Sequence, residues 1–200
     1  MKRILVLVVL LIAGFCVYWF MFRTKSSGVD EGPKQQPLTL KKHSLEFNQS
    51  VATAMNAYFE MKNAFVDGDT VKVKGAAKKF LGMIDSVKLD ELKKDTAAVY
   101  IDAVSKLGDI KANTNSILLQ TDITEMRHDF NWVSDALYPF FKLINYEGPN
   151  LYFQSCPMAF GEGKEAVWIS NTVEVVNPYQ GTQKPDMLHC GEIKDTIKTK

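Results

Sequence analysis

Sulfur-bearing residues gather at the two ends of one segment in the C-terminal part of the chain. The candidate ligands there, in chain order, are Cys156, Met158, Met187, His189 and Cys190. Thiolate and thioether sulfurs are the ligands that Cu(I) prefers, whereas zinc takes four ligands from Cys, His or carboxylate side chains. Because two cysteines and two methionines suffice for copper, copper(I) is favoured over zinc if the segment binds a metal.

His128 is one further candidate ligand, upstream of that segment in a region of helical periodicity. With Cys156, Cys190 and His189 it could complete a zinc site, but the C-x-x-C spacing typical of zinc sites is absent from the sequence. A disulfide between the two cysteines is an alternative that stays open, since exported proteins commonly oxidise such pairs. That crosslink would close a loop of about 35 residues and stabilise the fold by about 3–4 kcal/mol in the chain-entropy model.

Binding is favoured over catalysis by these residue types and spacings. A nucleophile pair could be drawn from Cys156 and His128, but nothing in the spacing supplies a third, orienting group or an oxyanion site. The C-x-x-C-H signature of haem attachment and the glycine-rich loops that bind phosphates are both absent from the sequence. We therefore expect a protein that is not an enzyme.

The composition fits one globular domain with a short extension. Of the 200 residues 46% are hydrophobic, which is enough for a sizeable core, and the formal net charge is +1. When Lys2 and Arg3 beside the first apolar run are set aside, the 24 basic residues fall to 22, against 23 acidic ones. No segment carries a basic stripe, so we expect no nucleic-acid partner.

An apolar run of nineteen uncharged residues, 4–22, lies near the N-terminus. A helix of this length spans the roughly 30 Å hydrocarbon core of a bilayer. The run ends Y-W-F-M-F instead of in small residues, so we expect an uncleaved single-pass anchor in the cell inner membrane with the domain in the periplasm. Signal cleavage and release into the periplasm is the alternative. The predicted boundaries are 1–23 for the anchor or signal sequence, 24–43 for a flexible spacer, and 44–200 for the folded domain, whose cap begins at residue 146 and covers 146–200.

From residue 44 onward, apolar residues recur at three- and four-residue steps, which predicts four amphipathic helices. Gly68 suits the end of the first, Asp69 and Asp122 suit the starts of the second and fourth, and Pro139 interrupts the last. Short connections between such helices predict an antiparallel four-helix bundle. The predicted buried stripes, helix by helix, are Leu45, Val51, Met55, Tyr58, Phe59, Ala64 and Phe65; Val73, Ala77, Phe80, Ile84 and Val87; Ala97, Ile101, Val104, Gly108, Ile117 and Leu118; and Ile123, Met126, Phe130, Val133, Leu137, Phe140 and Ile144.

The chain changes character after the fourth predicted helix. A turn at 146–149 precedes short β-prone runs at 151–154 and 166–169, and residues 172–176 form a third candidate strand before the turn N-P-Y-Q-G. The predicted fold class is therefore mainly α. It combines a four-helix antiparallel bundle with a small irregular or β-hairpin C-terminal cap, preceded by one N-terminal transmembrane helix.

A second stripe on the fourth predicted helix indicates where the cap lies. His128 and Trp132 stand four residues apart, roughly opposite the main apolar face. A tryptophan on the outside of a bundle needs a cover, and the C-terminal segment is what remains to provide one. We therefore expect His128 and Trp132 beneath the cap and Trp168 and Tyr179 in its core. His43, at the basic edge of the spacer, we expect to be solvated.

Several short motifs resemble those of one protein family. They are R-H-D-F and S-D-A-L in the fourth predicted helix, followed in order by C-P-M-A-F, V-W-I-S, N-P-Y-Q-G and M-L-H-C-G. Together they resemble the domain of unknown function numbered 3347, over about residues 45–197. The resemblance implies a helical domain with a C-terminal cap and no catalytic activity, found in exported bacterial proteins and in adaptor subunits of copper/silver efflux pumps.

The resemblance also has implications for the site. Cys156 and Met158 match the family's C-P-M, Met187 and Cys190 match its M-L-x-C-G, and His128 falls in the histidine region of the helix-four motif. We therefore expect a membrane-anchored periplasmic module that binds Cu(I) or Ag(I) in connection with heavy-metal efflux, with pump components as partners. The alternative is a non-enzymatic protein-interaction module whose cap is pinned by a Cys156–Cys190 disulfide.

Overall fold

The computed structural model describes residues 42–198 of the chain. The predicted anchor at 4–22 and nearly all of the predicted spacer lie outside the described residues, so the domain boundaries stay predictions. Within the described part, no helix is both long and apolar enough to cross a membrane. The fold is mainly α, with four helices and a small three-stranded antiparallel sheet: α1 (Leu45–Asp67), α2 (Thr70–Ile84), α3 (Ala97–Leu119), α4 (Ile123–Leu143), β1 (Leu151–Cys156), β2 (Ala166–Ser170) and β3 (Glu192–Ile197).

Each of the four helices begins at a residue whose side chain accepts hydrogen bonds from the free backbone N–H groups of the first turn. These N-cap residues are Ser44, Asp69, Thr96 and Asp122. Gly68 ends α1 in the left-handed conformation, with φ of 72°, which only glycine adopts at no cost. The boundaries predicted at Gly68, Asp69 and Asp122 are therefore confirmed.

The buried faces of α1, α2 and α4 confirm the predicted stripes, apart from Leu45 at an exposed helix start. The stripe predicted for α3 is wrong in the first half of the helix, where Ile101 is 63% exposed and Val104 is 44% exposed, whereas Ile117 is buried as predicted. The helix buries another face that includes Ala103 and Thr114, whose hydroxyl donates to a backbone carbonyl one turn earlier. Apolar residues occupy both faces of this helix, with Val99 and Ile110 on the buried one, so the spacing of the predicted residues indicated the wrong side there.

The helices close into a bundle around a cluster of aromatic rings. Consecutive helices pack against each other along the chain, and α1 meets α4 through ring contacts. Phe130 of α4 stacks on Tyr58 with ring centroids 5.4 Å apart and packs on Phe65 at 4.6 Å. Helix α4 continues through Pro139 to its end, so the proline does not terminate it.

The three strands are ordered β2-β1-β3, and both pairings are antiparallel. The strands predicted at 151–154 and 166–169 are confirmed, but the one predicted at 172–176 is wrong. The carbonyls of Thr172 and Glu174 accept hydrogen bonds from the Gln154 side chain, so they do not join a strand ladder. Residues 192–197, a largely polar run, supply the third strand on the other side of β1, so the cap is the predicted β1–β2 hairpin extended to a three-stranded sheet with irregular loops.

Strand β2 is an edge strand, yet the helices bond its outward-facing amides. The backbone N–H of Ile169 donates to the Tyr58 hydroxyl of α1 at 3.1 Å, and that of Val167 donates to the Asn131 side chain of α4 at 2.9 Å. Tyr58 in turn lies 2.7 Å from the Ser134 hydroxyl, which donates to a carbonyl within α4. These bonds satisfy the edge and fix the sheet on the bundle.

His43 was expected to be solvated, and this prediction is wrong. Its side chain is only 1% exposed and stacks on Phe47 with ring centroids 4.2 Å apart. One ring nitrogen lies 3.1 Å from the Glu91 carboxylate and the other 2.6 Å from the Ile144 carbonyl. The basic neighbours of His43 suggested a surface position, but polar partners on two other segments compensate its burial.

Candidate functional site

The two cysteines of the folded domain meet. Their sulfur atoms are 2.9 Å apart and both are free thiols. Cys156, the last residue of β1, is buried, and Cys190, two residues before β3, is half-buried. Because Ser155 pairs with Glu192 in the antiparallel register, continuing it one step places Cys156 opposite Gly191, the neighbour of Cys190.

A bulge in β3 sets this register. Phe153 pairs with Asp195, but the next residue of β1, Gln154, pairs with Ile193, so Lys194 is an extra residue in β3. Such a bulge shifts every later pair by one position. Without it, Cys156 would stand opposite Glu192 and one residue further from Cys190.

Gly191 allows the close approach of the two cysteine-bearing segments. Its φ of 147° is a conformation that residues with a side chain rarely adopt. A Cβ atom at this position would lie 2.5 Å from the Ser155 carbonyl oxygen and 3.0 Å from the Trp168 ring. Any larger residue would therefore push the Cys190 segment away from β1.

The motif N-P-Y-Q-G holds both cysteine segments in place, beyond the rigid turn predicted for it. The buried Asn177 side chain donates to the Cys190 carbonyl at 3.1 Å and accepts from the Tyr179 backbone N–H at 2.9 Å. The side chain of Gln180 donates to the Ala159 carbonyl at 2.7 Å, within C-P-M-A-F. Directional bonds from one turn thus fix the backbone on either side of the sulfur pair.

The surroundings suppress ionisation of the buried thiol. Burial raises the pKa of Cys156 to about 11, and the hydrogen bond with the Cys190 sulfur adds to the rise. The backbone N–H of Met158 and the side chain of Asn177 act in the opposite direction without cancelling it. Cys156 is therefore a thiol at neutral pH, which makes it a poor nucleophile, and a metal must displace its proton in order to bind.

The two predicted histidine ligands do not join the cysteines. His128 stacks on Phe160 with ring centroids 3.8 Å apart, and the Nδ1 atom of the exposed His189 lies 2.8 Å from the Val175 carbonyl. Between residues 42 and 198, no three or more His, Cys, Asp and Glu side chains form a group that could hold a metal ion. The four-ligand zinc site that the sequence allowed is therefore not assembled in the described residues.

Each of the two predicted thioether ligands lies within three residues of a cysteine. Met158 is 43% exposed in the turn after β1, and Met187 is partly buried at the end of the 3-10 helix Pro185–Met187. Methionine side chains are flexible and have a soft, polarizable sulfur. The structure thus brings the two thiols together, and the two methionines lie close to them in the sequence.

This donor set fits a soft ion of low coordination number better than it fits zinc. With metal–sulfur bonds of about 2.3 Å, as zinc makes with cysteine, sulfurs 2.9 Å apart would subtend an angle of roughly 80° at the metal. The pair would have to open before taking an ion. Cys190 is half-buried on a loop, so it is the sulfur that can move.

Trp132 was expected beneath the cap, and this prediction is wrong because its side chain is 58% exposed. The cap contacts a different face of α4, which is polar and includes the residue directly before Trp132. Arg127 donates to the Pro178 carbonyl at 3.1 Å, Asn131 accepts from β2, and Tyr138 donates to Asp195 of β3 at 2.5 Å. These polar residues are spaced by four and then seven positions, which places them on one side of a helix, and this spacing is the sequence signal that could have identified the face.

Comparison with known proteins gives one match. The model of the family described as "Protein of unknown function (DUF3347)" matches residues 54–147, from within α1 to just after α4. No curated protein and no solved structure matches the chain. The match confirms the resemblance expected from the sequence over the helices, and the matched range ends before both cysteines.

Proposed function

We propose that this chain, which belongs to the DUF3347 family through its helical region, is a metal-handling module that binds Cu(I) or Ag(I) between Cys156 and Cys190. The observation that supports this is the 2.9 Å approach of two free thiols from segments far apart in the chain. Two cysteine sulfurs with methionine nearby match the ligand preference of soft monovalent ions. A carboxylate or imidazole is not required.

Binding is proposed here without catalysis. The raised pKa of Cys156 leaves little thiolate at neutral pH, which is the opposite of what a nucleophilic cysteine needs. Because the ion must displace that proton, affinity should rise with pH. Anchored through residues 4–22, the module would work in the periplasm and exchange its ion with heavy-metal efflux components.

A competition titration tests the metal proposal. The reduced full-length protein, in mild detergent, should take one Cu(I) per chain from a chromophoric chelator. Cys156→Ser and Cys190→Ser should abolish this uptake, and Met158→Leu should weaken it. Cys16→Ser, in the predicted anchor, and Met83→Leu, in α2, are the matched controls and should leave binding unchanged. Uptake that survives both of the Cys156 and Cys190 substitutions would overturn the proposal.

A second candidate, an interaction module pinned by a disulfide, is supported by the same sulfur distance. The 2.9 Å separation is within about 1 Å of the roughly 2.05 Å length of an S–S bond. Purified without reductant, the protein would then show one free thiol, Cys16, instead of three. Reduction would lower its melting temperature, and the fully reduced protein would bind no Cu(I). That combination of results would favour this candidate over the metal module.

A further inference from the structure

A groove of about 510 Å³ lies between the first turns of α4 and the cap, apart from the cysteine pair. Neither cysteine lines it. Its volume falls within the range of about 300–1,000 Å³ that small-molecule sites occupy. The groove can therefore be considered as a binding site in its own right.

The side chains that line the groove include basic residues but no acidic ones. Of the eleven residues that line it, Arg127 and Lys184 are cations, His128 is a third basic side chain, and none is acidic. A concave site lined by basic side chains alone raises the local concentration of anions. This balance excludes a metal cation and favours a negatively charged ligand.

Arg127 is the central one of these basic residues. It is only 7% exposed, and two of its N–H groups donate to the carbonyls of Phe65 and Pro178. Among residues 42–198 no carboxylate makes an ion pair with it; the nearby Asp122 accepts from the backbone amides of Thr124 and Glu125 instead. A guanidinium has five N–H donors, so an oxyanion in the groove would find both charge and free donors.

The groove is also lined by aromatic side chains. The His128 ring stacks on Phe160 with an angle of 19° between the planes, and Tyr179 meets Phe160 edge-on with centroids 5.3 Å apart. Neither ring nitrogen of His128 has a hydrogen-bond partner in the described part of the chain. A flat ligand body would thus find an aromatic surface and one more polar contact beside the basic side chains.

We propose that this groove binds a small organic anion, whose carboxylate or phosphate group lies against Arg127 and whose body packs on the Phe160–His128 stack. Lys184 at the rim adds attraction without being buried by the ligand. The groove does not include the cysteine pair, so anion binding and metal binding can be tested independently.

Titration of the full-length protein at constant ionic strength tests this proposal. Benzoate, phenyl phosphate and inorganic phosphate serve as probes, with benzamide as the uncharged match for benzoate. We expect benzoate or phenyl phosphate to bind and benzamide not to bind, and the stronger of the two anions identifies the head group. Inorganic phosphate should bind more weakly because it lacks a body to stack. If none of the anions binds at millimolar concentration, the proposal is wrong.

Variants separate this site from general surface attraction. Phe160→Leu should weaken binding about tenfold, and Lys184→Ala about threefold, as expected for losing a stacking face and a rim charge. Lys78→Ala removes an exposed lysine of α2 outside the groove and should change nothing. Arg127→Gln should abolish binding if circular dichroism shows a folded protein. Equal weakening of anion binding by Lys78→Ala and Lys184→Ala would overturn the proposal. This comparison does not depend on whether the Arg127→Gln protein is folded.

Discussion

The bundle and the cap are held together by different kinds of contact. In the bundle, Phe130 packs its ring against Tyr58 and Phe65, and most of the buried side chains are apolar. In the cap, buried amide side chains bond backbone groups: Asn177 to the Cys190 segment, and Gln154 to the carbonyls of two residues in the loop after β2. One region relies on area removed from water, the other on hydrogen bonds of defined direction.

This difference indicates which region stabilises the domain and which one positions the backbone around the cysteines. Burial of apolar area is non-directional and tolerates changes of shape, so it determines how stable the domain is. A buried hydrogen bond stabilises the fold only when donor and acceptor are correctly placed, so it determines where a backbone segment lies. We therefore expect the bundle to set the stability of the domain and the cap to set the geometry around the cysteines.

Removal of Phe130 should have the largest effect on stability. Its side chain is fully buried, and Phe130→Ala should lower the free energy of unfolding by about 3–5 kcal/mol, because a cavity is left beside two rings. Denaturant unfolding followed by circular dichroism measures this. Trp132→Ala, two residues further along the same helix, is the control and should cost under about 1 kcal/mol, because Trp132 is mostly exposed. Equal costs would contradict the assigned faces of α4.

Most of the bundle could be predicted from the sequence because apolar periodicity reports burial directly. Periodicity predicted burial correctly where large side chains mark the buried face, as with Phe80 of α2 and Phe130 of α4. It failed for the first half of α3, where Val99, Ala103 and Ile110 are buried while Ile101 faces solvent. The helix has apolar residues on both faces, so their spacing alone does not identify the buried one.

Loss of Gln154 should have an intermediate effect that is confined to the cap. Its side chain accepts from the Trp168 indole N–H at 2.7 Å and donates to two loop carbonyls. Gln154→Leu would leave that buried N–H without a partner, at a cost of about 1–3 kcal/mol in unfolding free energy. Tryptophan fluorescence should shift even where the helical circular dichroism is unchanged. Gln49→Leu, at an exposed position of α1, should change neither signal.

The candidate site could be predicted only in part. Cysteines at both ends of one segment indicated that they belong together, and they do meet at 2.9 Å. What holds them was missed, because a bulge, a positive φ at Gly191 and the bonds of Asn177 arise only when distant segments are in contact. His128 was assigned by its chemistry alone, and the fold places it on Phe160 in a different cavity.

The link between α4 and β3 should have the smallest effect, with a distinct dependence on pH. Hydrogen bonds from Lys142 and then Tyr138 lower the pKa of Asp195 to about 2, from an ordinary value of about 3.9. The folded state therefore binds fewer protons than the unfolded state in this range. The contribution of Asp195 to the free energy of unfolding is thus complete above about pH 5 and is lost as the pH falls towards 2.

Because the ion pair between Asp195 and Lys142 is largely exposed, Asp195→Asn should lower the free energy of unfolding by no more than about 1 kcal/mol at pH 7. The difference between the two proteins should shrink between pH 4 and 2 as measured by denaturant unfolding. A constant difference across that range would mean that Asp195 and Lys142 are not paired in solution.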